Sequence, residues 1–544
     1  MGHILFWLEA AVTSVLFVAM GLRILSGIQR RGRRWLVRIA WIILAPLPWV
    51  AAIGEFAEVQ FFTGGALAPL ISASVAGGLV AIAAIVMIRR NRRPAALDGR
   101  PAAAGWRLGR LSLIWAVSLL LTCITFWNLD LAVRQEMATL RIEAGALALS
   151  VSPPRIPDAQ NAAILYRQAW EILDAQKDGN VEWGKVVAGW LQPDKGDFDP
   201  NNKQMLDFLA KQGPVIELLH KAGQLPACNF GTQYNPPAID VLLPPLGKVR
   251  DLARLLWLSA GVHADQGRMV DAMKDLSASF ALADHCTAEP PLVTLLVAIA
   301  IDAKSVNTLQ QVLEKHAPTS ESLNALKLNS AFSFTAALQR SLRMEKAFGL
   351  SFFTTHSPSA AFADVSLPAP RTYVTDTLAN PYRVFFWSQD VAAYLRWMNR
   401  IVTLSGQPCH EARVKWNELD GDMEKAANAR GLGGLLAAVI TPALSRAATL
   451  VARADAQHQL ALLGVALWQY RLDHGAFPDK LDSLTPKYIL AVPTDPFTGQ
   501  GMKLARKADG QCVIYSVGSD LQDDGGTPFD RKTEKGDISL TLGK

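Results

Sequence analysis

The sequence lacks the short motifs that mark the common catalytic mechanisms. It contains no glycine-rich phosphate loop ending in lysine, no H-E-x-x-H, no G-x-S-x-G and no paired C-x-x-C. The nucleotide, zinc-protease, serine-hydrolase and zinc-ribbon mechanisms therefore have no support in the sequence. Cys409, His410 and Glu411 form the densest group of metal-binding residue types. Because neighbours on a helix point about 100° apart, such a run rarely binds one ion.

Cysteine is scarce, with 5 in 544 residues. Cys123 lies in an apolar segment, which leaves Cys228, Cys286, Cys409 and Cys512 for the rest of the chain. In an oxidising compartment these four thiols allow two disulfides in three connectivities. Their wide separation in sequence is equally typical of isolated buried thiols, and both alternatives stay open at this point.

Lysine is absent from the first 133 residues, and acidic residues are few there. This segment contains thirteen arginines and five acidic residues, and every arginine lies within Arg23–Arg38 or Arg89–Arg110. Its positive charge exceeds the formal net charge of +6 of the whole chain. The residues that follow are therefore close to neutral and slightly acidic.

Long apolar runs crowd the same N-terminal segment. Four of them are long enough, or nearly so, to cross about 30 Å of hydrocarbon. These runs are Ile4–Ile24, Leu36–Ile53, Ala66–Ile88 and Leu111–Leu131. The sequence therefore predicts a transmembrane anchor of about four helices in residues 1–133.

The two arginine clusters predict the orientation of this anchor. They connect the first span to the second and the third to the fourth, so the positive-inside rule assigns both to the cytoplasm. The N-terminus and everything after Asp130 are then expected outside the cytoplasm, which indicates a multi-pass protein of the cytoplasmic (inner) membrane. Arginines beside apolar spans bind anionic headgroups, so the expected partner is the lipid bilayer and not nucleic acid.

The middle of the chain, residues 134–440, has the apolar periodicity of α-helices. We expect it to form an extracytoplasmic α-helical domain, with a prolyl linker near Pro153 and a long loop over Leu350–Pro370. Helices are predicted over Asn161–Gln176, Lys203–Ala222, Leu246–Gln266, Met269–His285, Pro291–Lys315, Ser320–Phe348, Pro381–Leu404 and His410–Ala429.

Two of these helices resemble a tetratricopeptide repeat. Trp257, Gly261, Gly267 and Ala272 follow that pattern, although the spacing is one residue short after the Trp-Gly pair. We interpret the region as an array of helical hairpins. Ordinary helix packing through Trp257 is the simpler alternative to a groove that binds a protein partner.

Residues 441–544 predict a small α+β module. Leu460, Leu463, Leu467 and Tyr470 recur at helical spacing, and Gly475 is placed to end that helix in a left-handed conformation. The helix is amphipathic and needs a surface to lie on. A β-rich segment at residues 512–517 indicates a small antiparallel sheet as that surface.

Four sequence pieces in this module occur in a characteristic order. They are A-L-x-x-Y-x-L-D-x-G from Ala466, F-P at Phe477, D-P-F from Asp495 and I-Y-S-V-G-x-D from Ile514. Together they resemble the soluble C-terminal half of the major pseudopilins of bacterial type II secretion. The resemblance covers about the last hundred residues and implies a link to secretion or envelope assembly. The whole chain looks like uncharacterised bacterial membrane-anchored extracytoplasmic proteins.

The resemblance also implies a calcium site. In pseudopilins the last loop binds calcium, and the matching positions here are Asp520 and Asp537, with Asp523 and Asp524 between them. A hard cation prefers several carboxylate and carbonyl oxygens on a flexible loop, so these residue types suit calcium. The loop is longer and more basic than the family pattern, and a solvated turn is the simpler alternative.

These features favour a membrane-anchored structural or interaction protein over an enzyme. The alternative is an extracytoplasmic hydrolase whose carboxylates are scattered in sequence and converge only in the fold. A cavity lined by two or more buried acids between the middle helices would favour the hydrolase. A broad apolar groove would favour the binding protein.

Overall fold

The structure is a computed structural model that describes residues 12, 102–176, 183–191, 201–234, 245–355, 387–428, 442–507, 511–530 and 535–543. Apart from Val12, the first three predicted membrane spans lie outside the described residues. So does the apolar run at residues 431–440, which its length predicts to be too short to span a membrane. The described part of the chain is mainly helical, with thirteen α-helices and a small antiparallel sheet at its C-terminal end. This confirms the coarse fold class expected from the sequence.

The secondary-structure elements follow the order of the chain. The helices are α1 Ala102–Val151, α2 Ala162–Ala175, α3 Trp183–Trp190, α4 Lys203–Lys211, α5 Gly213–Gly223, α6 Leu246–Asp265, α7 Met269–Cys286, α8 Leu292–Lys315, α9 Ser320–Ala325, α10 Phe334–Thr355, α11 Trp387–Ser405, α12 Cys409–Asn428 and α13 Pro442–His474. The strands are β1 Lys503–Arg506, β2 Cys512–Ser516 and β3 Ile538–Leu542.

Three predicted boundaries are wrong. The segment Ser320–Phe348 was expected to be one helix, but Ala325 ends α9 and α10 begins at Phe334. The segment Lys203–Ala222 was expected to be one helix, but Gln212 ends α4 and a second helix begins at Gly213. Pro214 lies in the first turn of α5, where its missing N–H costs nothing, and it cannot continue the preceding helix. The loop expected from Leu350 does not begin there, because α10 extends to Thr355 and buries Phe352 and Phe353. The rest of the predicted loop lies outside the described residues.

The contacts divide the chain into two compact units. The first comprises Met1–Ile142, Phe352–Ala393 and Gly431–Gly434, and the second comprises Glu143–Ser351, Tyr394–Arg430 and Leu435–Lys544. The three-segment division at residues 133 and 440 remains a prediction.

In the first unit, the described residues belong mainly to α1, which contains the fourth predicted span. Asp130 near the end of that span is buried, and its carboxylate accepts a hydrogen bond of 2.7 Å from Arg134 one turn later. At the start of α11, the buried indole of Trp387 donates to the carbonyl of Phe353 at 2.9 Å.

The four membrane spans remain a prediction. Among the described residues one helix, Leu292–Lys315, has the length and hydropathy to cross a bilayer, and 50% of its most apolar window is buried inside the protein.

In the second unit, α6 and α7 form the predicted helical hairpin. Gly267 in the turn adopts a φ of +76°, which a residue without a β-carbon reaches at no steric cost. Both helices contact α8, and small buried residues such as Ala260 and Ala272 allow close packing of the helices. The described residues between Asn161 and Lys346 contain no β-strand, as the helical periodicity predicted.

The C-terminal part of the second unit shares its core with these helices. One continuous set of buried apolar side chains includes Met273 of α7 and Leu309 of α8, Leu460 and Leu467 of α13, and Ile514 of β2. We call α6, α7 and α8 the helical layer. The 33-residue helix α13 therefore joins this layer to the sheet. It ends as the sequence predicted, with Gly475 at a φ of +82°.

The sheet has the order β1, β2, β3 and is antiparallel throughout. Its central strand β2 is buried at every position, and Ile514 pairs with Leu504 on one side and Leu540 on the other. The helix α13 packs closely on β3 at Gly464, where a β-carbon would lie 2.8 Å from a methyl carbon of Leu540. The predicted helix-on-sheet module is present.

Candidate functional site

The D-P-F piece of the C-terminal module has a structural role. Asp495 is buried, and its Oδ1 accepts hydrogen bonds from the Phe497 N–H at 2.8 Å and the Ser516 hydroxyl at 2.9 Å. Its Oδ2 accepts from the N–H of Val517 at 3.1 Å. This carboxylate therefore fastens the loop before β1 to the end of β2, and both of its oxygens are satisfied.

The acidic loop places its four predicted calcium ligands in different surroundings. Asp537 is fully buried, and its Oδ2 accepts a hydrogen bond of 2.7 Å from the Gly526 N–H. Its Oδ1 is also buried but has no hydrogen-bond partner among the described residues. Burial raises the pKa of Asp537 against the hydrogen bond from Gly526, and the carboxylates of Asp523 and Asp524 raise it further.

The other predicted ligands are exposed or partly exposed, and two of them already accept hydrogen bonds from other groups of the protein. Asp520 accepts from the Gln522 N–H at 3.1 Å, which forms a local turn. Asp523 accepts from the Lys503 ammonium at 2.5 Å and from the Tyr515 hydroxyl at 3.0 Å. The structure thus brings Asp523 and Asp524 near Asp537 and turns Asp520 towards its own backbone. No group of three or more His, Cys, Asp or Glu side chains in the described part of the chain is arranged to hold a metal ion.

Asp537 nevertheless fits a cation ligand, because a buried carboxylate oxygen without a partner is costly unless something neutralises it. Asp524 is exposed and close enough to influence the charge of Asp537. Calcium at this loop remains a prediction, and the fit is better for Asp537 and Asp524 than for Asp520 and Asp523.

The second unit contains an arrangement that resembles a catalytic triad only by residue type. His263 Nδ1 lies 2.8 Å from Asp275 Oδ2 and 3.4 Å from the Ser259 hydroxyl. A serine–histidine–aspartate relay needs the hydroxyl and the carboxylate on opposite ring nitrogens. Here the Ser259 hydroxyl and the Asp275 carboxylate both face Nδ1 of His263. The other oxygen of Asp275 forms a hydrogen bond of 2.7 Å with His220 Nε2. The geometry supports a structural carboxylate between two histidines.

Two other histidines are buried in contrasting ways. His285 Nδ1 lies 2.8 Å from the Tyr166 hydroxyl, and its Nε2 lies 3.0 Å from the carbonyl of Leu225. Burial lowers the pKa of His285, so the ring is neutral, accepts from Tyr166 and donates to Leu225. His458 instead faces the carboxylate of Asp302 at 2.8 Å. Burial alone would lower the pKa of His458, but the charge and hydrogen bond of Asp302 raise it overall.

The cysteines outside the predicted spans are free thiols. Cys228, Cys286 and Cys512 are buried, and Cys409 is partly buried. Burial raises the pKa of Cys286 to about 12 and that of Cys512 to about 11, which makes both poor nucleophiles. His410 packs against Gly499, where a β-carbon would lie 2.6 Å from its Nε2. His410 Nε2 also lies 3.7 Å from Glu411 Oε1, but no group of three possible metal ligands is found at this run, which the structure describes in full.

A cavity of about 340 Å³ lies between α6 and α8. The residues that line it recur at helical spacing on each helix, and Leu191 after α3 contributes to one side; they are Leu191, Trp257, Gly261, Ala264, Asp265, Lys304, Thr308, Gln311, Val312, Lys315 and His316. One acid lines it, Asp265, and His316 Nε2 lies 2.7 Å from its Oδ1.

Lys304 is the least compensated charge of this cavity. Burial lowers its pKa, and no carboxylate among the described residues pairs with it. Lys304 is not among the site residues predicted from the sequence. The signal was a polar face on an otherwise apolar helix, since Lys304, Thr308, Gln311 and Lys315 follow one another at spacings of three and four.

Comparison of the chain with protein-family models, with curated proteins and with solved structures gives no significant match.

Proposed function

We propose that the protein is a membrane-anchored interaction protein of the bacterial cytoplasmic membrane. Residues 1–133 form its multi-pass anchor, and the helical layer and the C-terminal module lie outside the cytoplasm. The single observation that carries a binding role is the lining of the cavity between α6 and α8. A hydrolase was expected to bring two or more buried acids together there, whereas Asp265 is the one acid in the lining and faces His316.

Exposed apolar side chains on α1 support the membrane anchor. Val117, Leu120, Leu121, Ile124 and Leu131 each leave between 43% and 49% of their surface exposed. A contiguous apolar surface of this kind is rare in water, and hydrocarbon would cover it at no cost. The fourth predicted span is therefore suited to lipid contact.

The shared core supports a fixed component of the envelope. The C-terminal module resembles a pseudopilin, but its long helix α13 is packed along the helical layer as well as on the sheet. Removing the module would expose both surfaces to water. The module therefore acts as a built-in part of a scaffold, in secretion or envelope assembly, and not as a subunit that polymerises.

Calcium would have a structural role in this proposal. Asp537 Oδ1, the carboxylate of Asp524 and loop carbonyls would hold it, and its charge would offset the repulsion between neighbouring carboxylates. The ion would fasten the loop that leads into β3.

Reporter fusions test the topology on which the proposal depends. We expect alkaline phosphatase to be inactive when fused after Arg93 and active when fused after Lys544, because the arginine clusters are assigned to the cytoplasm. A fluorescent protein that folds only in the cytoplasm should give the opposite pair of results. A C-terminal phosphatase fusion that is inactive while its fluorescent counterpart is bright would contradict the proposal.

A further inference from the structure

We infer that the cavity between α6 and α8 binds a small organic monocarboxylate with an apolar body, which Lys304 recognises through its charge. The inference rests on the proposed binding function and adds the chemical class of the ligand. It depends on three features of the cavity: its shape, its uncompensated cation and its apolar floor.

The shape follows from residue size along two facing helices. On α6, Trp257 and Ala264 lie on either side of Gly261, which contributes no side chain. On α8, Lys304 and Thr308 lie one turn apart on the facing side. The resulting volume of about 340 Å³ holds roughly eleven water molecules at about 30 Å³ each. A ligand of roughly ten non-hydrogen atoms therefore fits.

The charge of the cavity favours an anion. Lys304 has no partner carboxylate among the described residues, and burial alone accounts for its lowered pKa. Asp265 lines the same cavity, but His316 lies 2.7 Å from its Oδ1 and competes for it. A desolvated ammonium is stabilised when a carboxylate replaces the water it has lost.

The number of donors favours a single negative charge. Phosphate sites usually combine several cationic side chains with the N–H groups of a helix N-terminus. The cavity instead lies along the sides of α6 and α8, and the Thr308 hydroxyl already donates to the Lys304 carbonyl at 2.8 Å. Lys315 also lines the cavity, but its side chain is exposed, whereas Lys304 is partly buried. One carboxylate therefore matches the one partly buried lysine.

The floor of the cavity favours an apolar or aromatic body. The Trp257 indole is 7% exposed, and its N–H donates to the Ser305 hydroxyl at 3.0 Å. The indole orientation is therefore fixed before a ligand arrives. Ala264 and Val312 complete the apolar lining. The simpler explanation is that Lys304 extends its ammonium into solvent and binds nothing.

Fluorine NMR of the full chain in detergent micelles distinguishes these explanations. The probes are 4-fluorobenzoate and its neutral analogue 4-fluorobenzamide, which has nearly the same shape. We expect 4-fluorobenzoate to bind at least tenfold more tightly, and Lys304→Met to reduce its affinity roughly tenfold or more, since charge-assisted hydrogen bonds are the strong ones. The amide should bind the wild type and Lys304→Met equally.

Two further variants control for folding and for the place of binding. Lys274→Met removes an exposed lysine of α7, which pairs with Asp271 at 3.4 Å, and should leave both probes unaffected. Gly261→Leu should fill the cavity and abolish binding of both probes. Lys304→Met should melt no lower than the wild type, because it removes an uncompensated cation. 4-Fluorobenzoate should raise the melting temperatures of the wild type and of Lys274→Met equally, and that of Lys304→Met less.

The outcomes separate the inference from the proposed function. If both probes bind equally and Gly261→Leu abolishes both, the cavity is a binding site but the anionic class is wrong. If Lys304→Met binds 4-fluorobenzoate as tightly as the wild type does, the inference is also wrong. If neither probe binds the wild type, the inference fails together with the cavity as a binding site, while the reporter fusions judge the topology separately.

Discussion

Two regions of the second unit each bury an aspartate, and they differ in how well its charge is partnered. At the junction of α13 with the helical layer, Asp455 accepts hydrogen bonds from the backbone N–H of Phe334 at 2.7 Å and of Thr335 at 3.2 Å. The hydroxyls of Thr335 and Ser333 also donate to it, at 2.6 and 3.2 Å. In the acidic loop, one oxygen of Asp537 has no partner among the described residues.

The direction of a pKa shift does not separate the two aspartates. Burial raises the pKa of Asp455 despite its four hydrogen bonds, and burial raises that of Asp537 as well. The two aspartates differ in their hydrogen bonds: both carboxylate oxygens of Asp455 accept one or more, whereas Oδ1 of Asp537 accepts none from the described residues. Asp455 acts as an N-cap supplied from another helix, since it satisfies the first N–H groups of α10. Asp537 is left with an acceptor that a cation could use.

The largest effect is expected from breaking the buried ion pair between His458 of α13 and Asp302 of α8. His458→Leu should remove the partner of Asp302, whose Oδ2 is already without a hydrogen bond among the described residues, and leave a buried charge. We expect a loss of about 3–5 kcal/mol in the free energy of unfolding, measured by denaturant titration of the full chain in micelles. The double variant His458→Leu with Asp302→Leu is the control and should recover much of the loss. A small effect of the single variant would show that the pair is not desolvated.

A smaller effect is expected for the cap. Asp455→Ala should leave the first N–H groups of α10 unsatisfied and lower the free energy of unfolding by about 1–2 kcal/mol. Asp455→Asn retains one acceptor oxygen and should lose less. Amide hydrogen exchange at Phe334 and Thr335 is the direct measurement. Unchanged protection of these two amides in the alanine variant would contradict the assigned cap.

The ion pair at the junction should also make stability depend on pH. The pKa of His458 is raised in the folded protein above its usual 6.5, so its contribution is complete below 6.5 and is lost as the pH rises through the folded value. The stability difference between the wild type and the double variant should therefore shrink above neutral pH. Melting temperatures of both proteins from pH 6 to 9 measure this difference. Parallel curves would mean that folding does not raise the pKa of His458.

Two helical glycines test how tightly α13 packs on the sheet. Both Gly464 in α13 and Gly421 in α12 should gain helix propensity of about 1 kcal/mol on replacement by alanine. At Gly421 a β-carbon meets nothing within 4 Å, whereas at Gly464 it meets Leu540 at 2.8 Å. We expect Gly421→Ala to raise the melting temperature. In Gly464→Ala, the clash with Leu540 should offset the gain in helix propensity, so that its melting temperature does not rise. Equal gains would show that Leu540 moves aside freely.

The sequence predicted the helices and the module because their causes are local. Apolar residues at spacings of three and four predicted α6, α7 and α8, and Gly475 predicted the end of α13. The split before Pro214 was missed, although the proline itself was the signal. Local patterns carry these features because each depends on a few neighbouring residues.

The partners of buried charges could not be predicted in the same way. Asp455 and Phe334 are 121 residues apart in sequence, and His458 and Asp302 are 156 apart. Asp495 belonged to a recognised sequence piece, but its role appeared only when β2 was placed beside it. A single sequence contains no signal for such distant contacts. The cavity between α6 and α8 is hidden for the same reason.

The smallest expected effect concerns calcium at the acidic loop. The Oδ1 of Asp537 lacks a partner among the described residues, and the nearby carboxylates of Asp523 and Asp524 repel it. An ion that binds the folded loop alone would stabilise the protein by about 0.4 kcal/mol when free calcium equals its Kd, and by more at higher concentration. The loop should therefore become better ordered when calcium is added.

Calorimetric scans of the full chain with calcium and with a chelator measure this effect. The melting temperature should rise with calcium in the wild type and in Asp482→Asn, which changes an exposed aspartate of the same module. It should not respond in Asp537→Asn, and this variant should melt no lower than the chelated wild type, because it removes a buried charge without a full set of partners. A wild type that melts identically with millimolar calcium and with chelator would favour a solvated acidic turn.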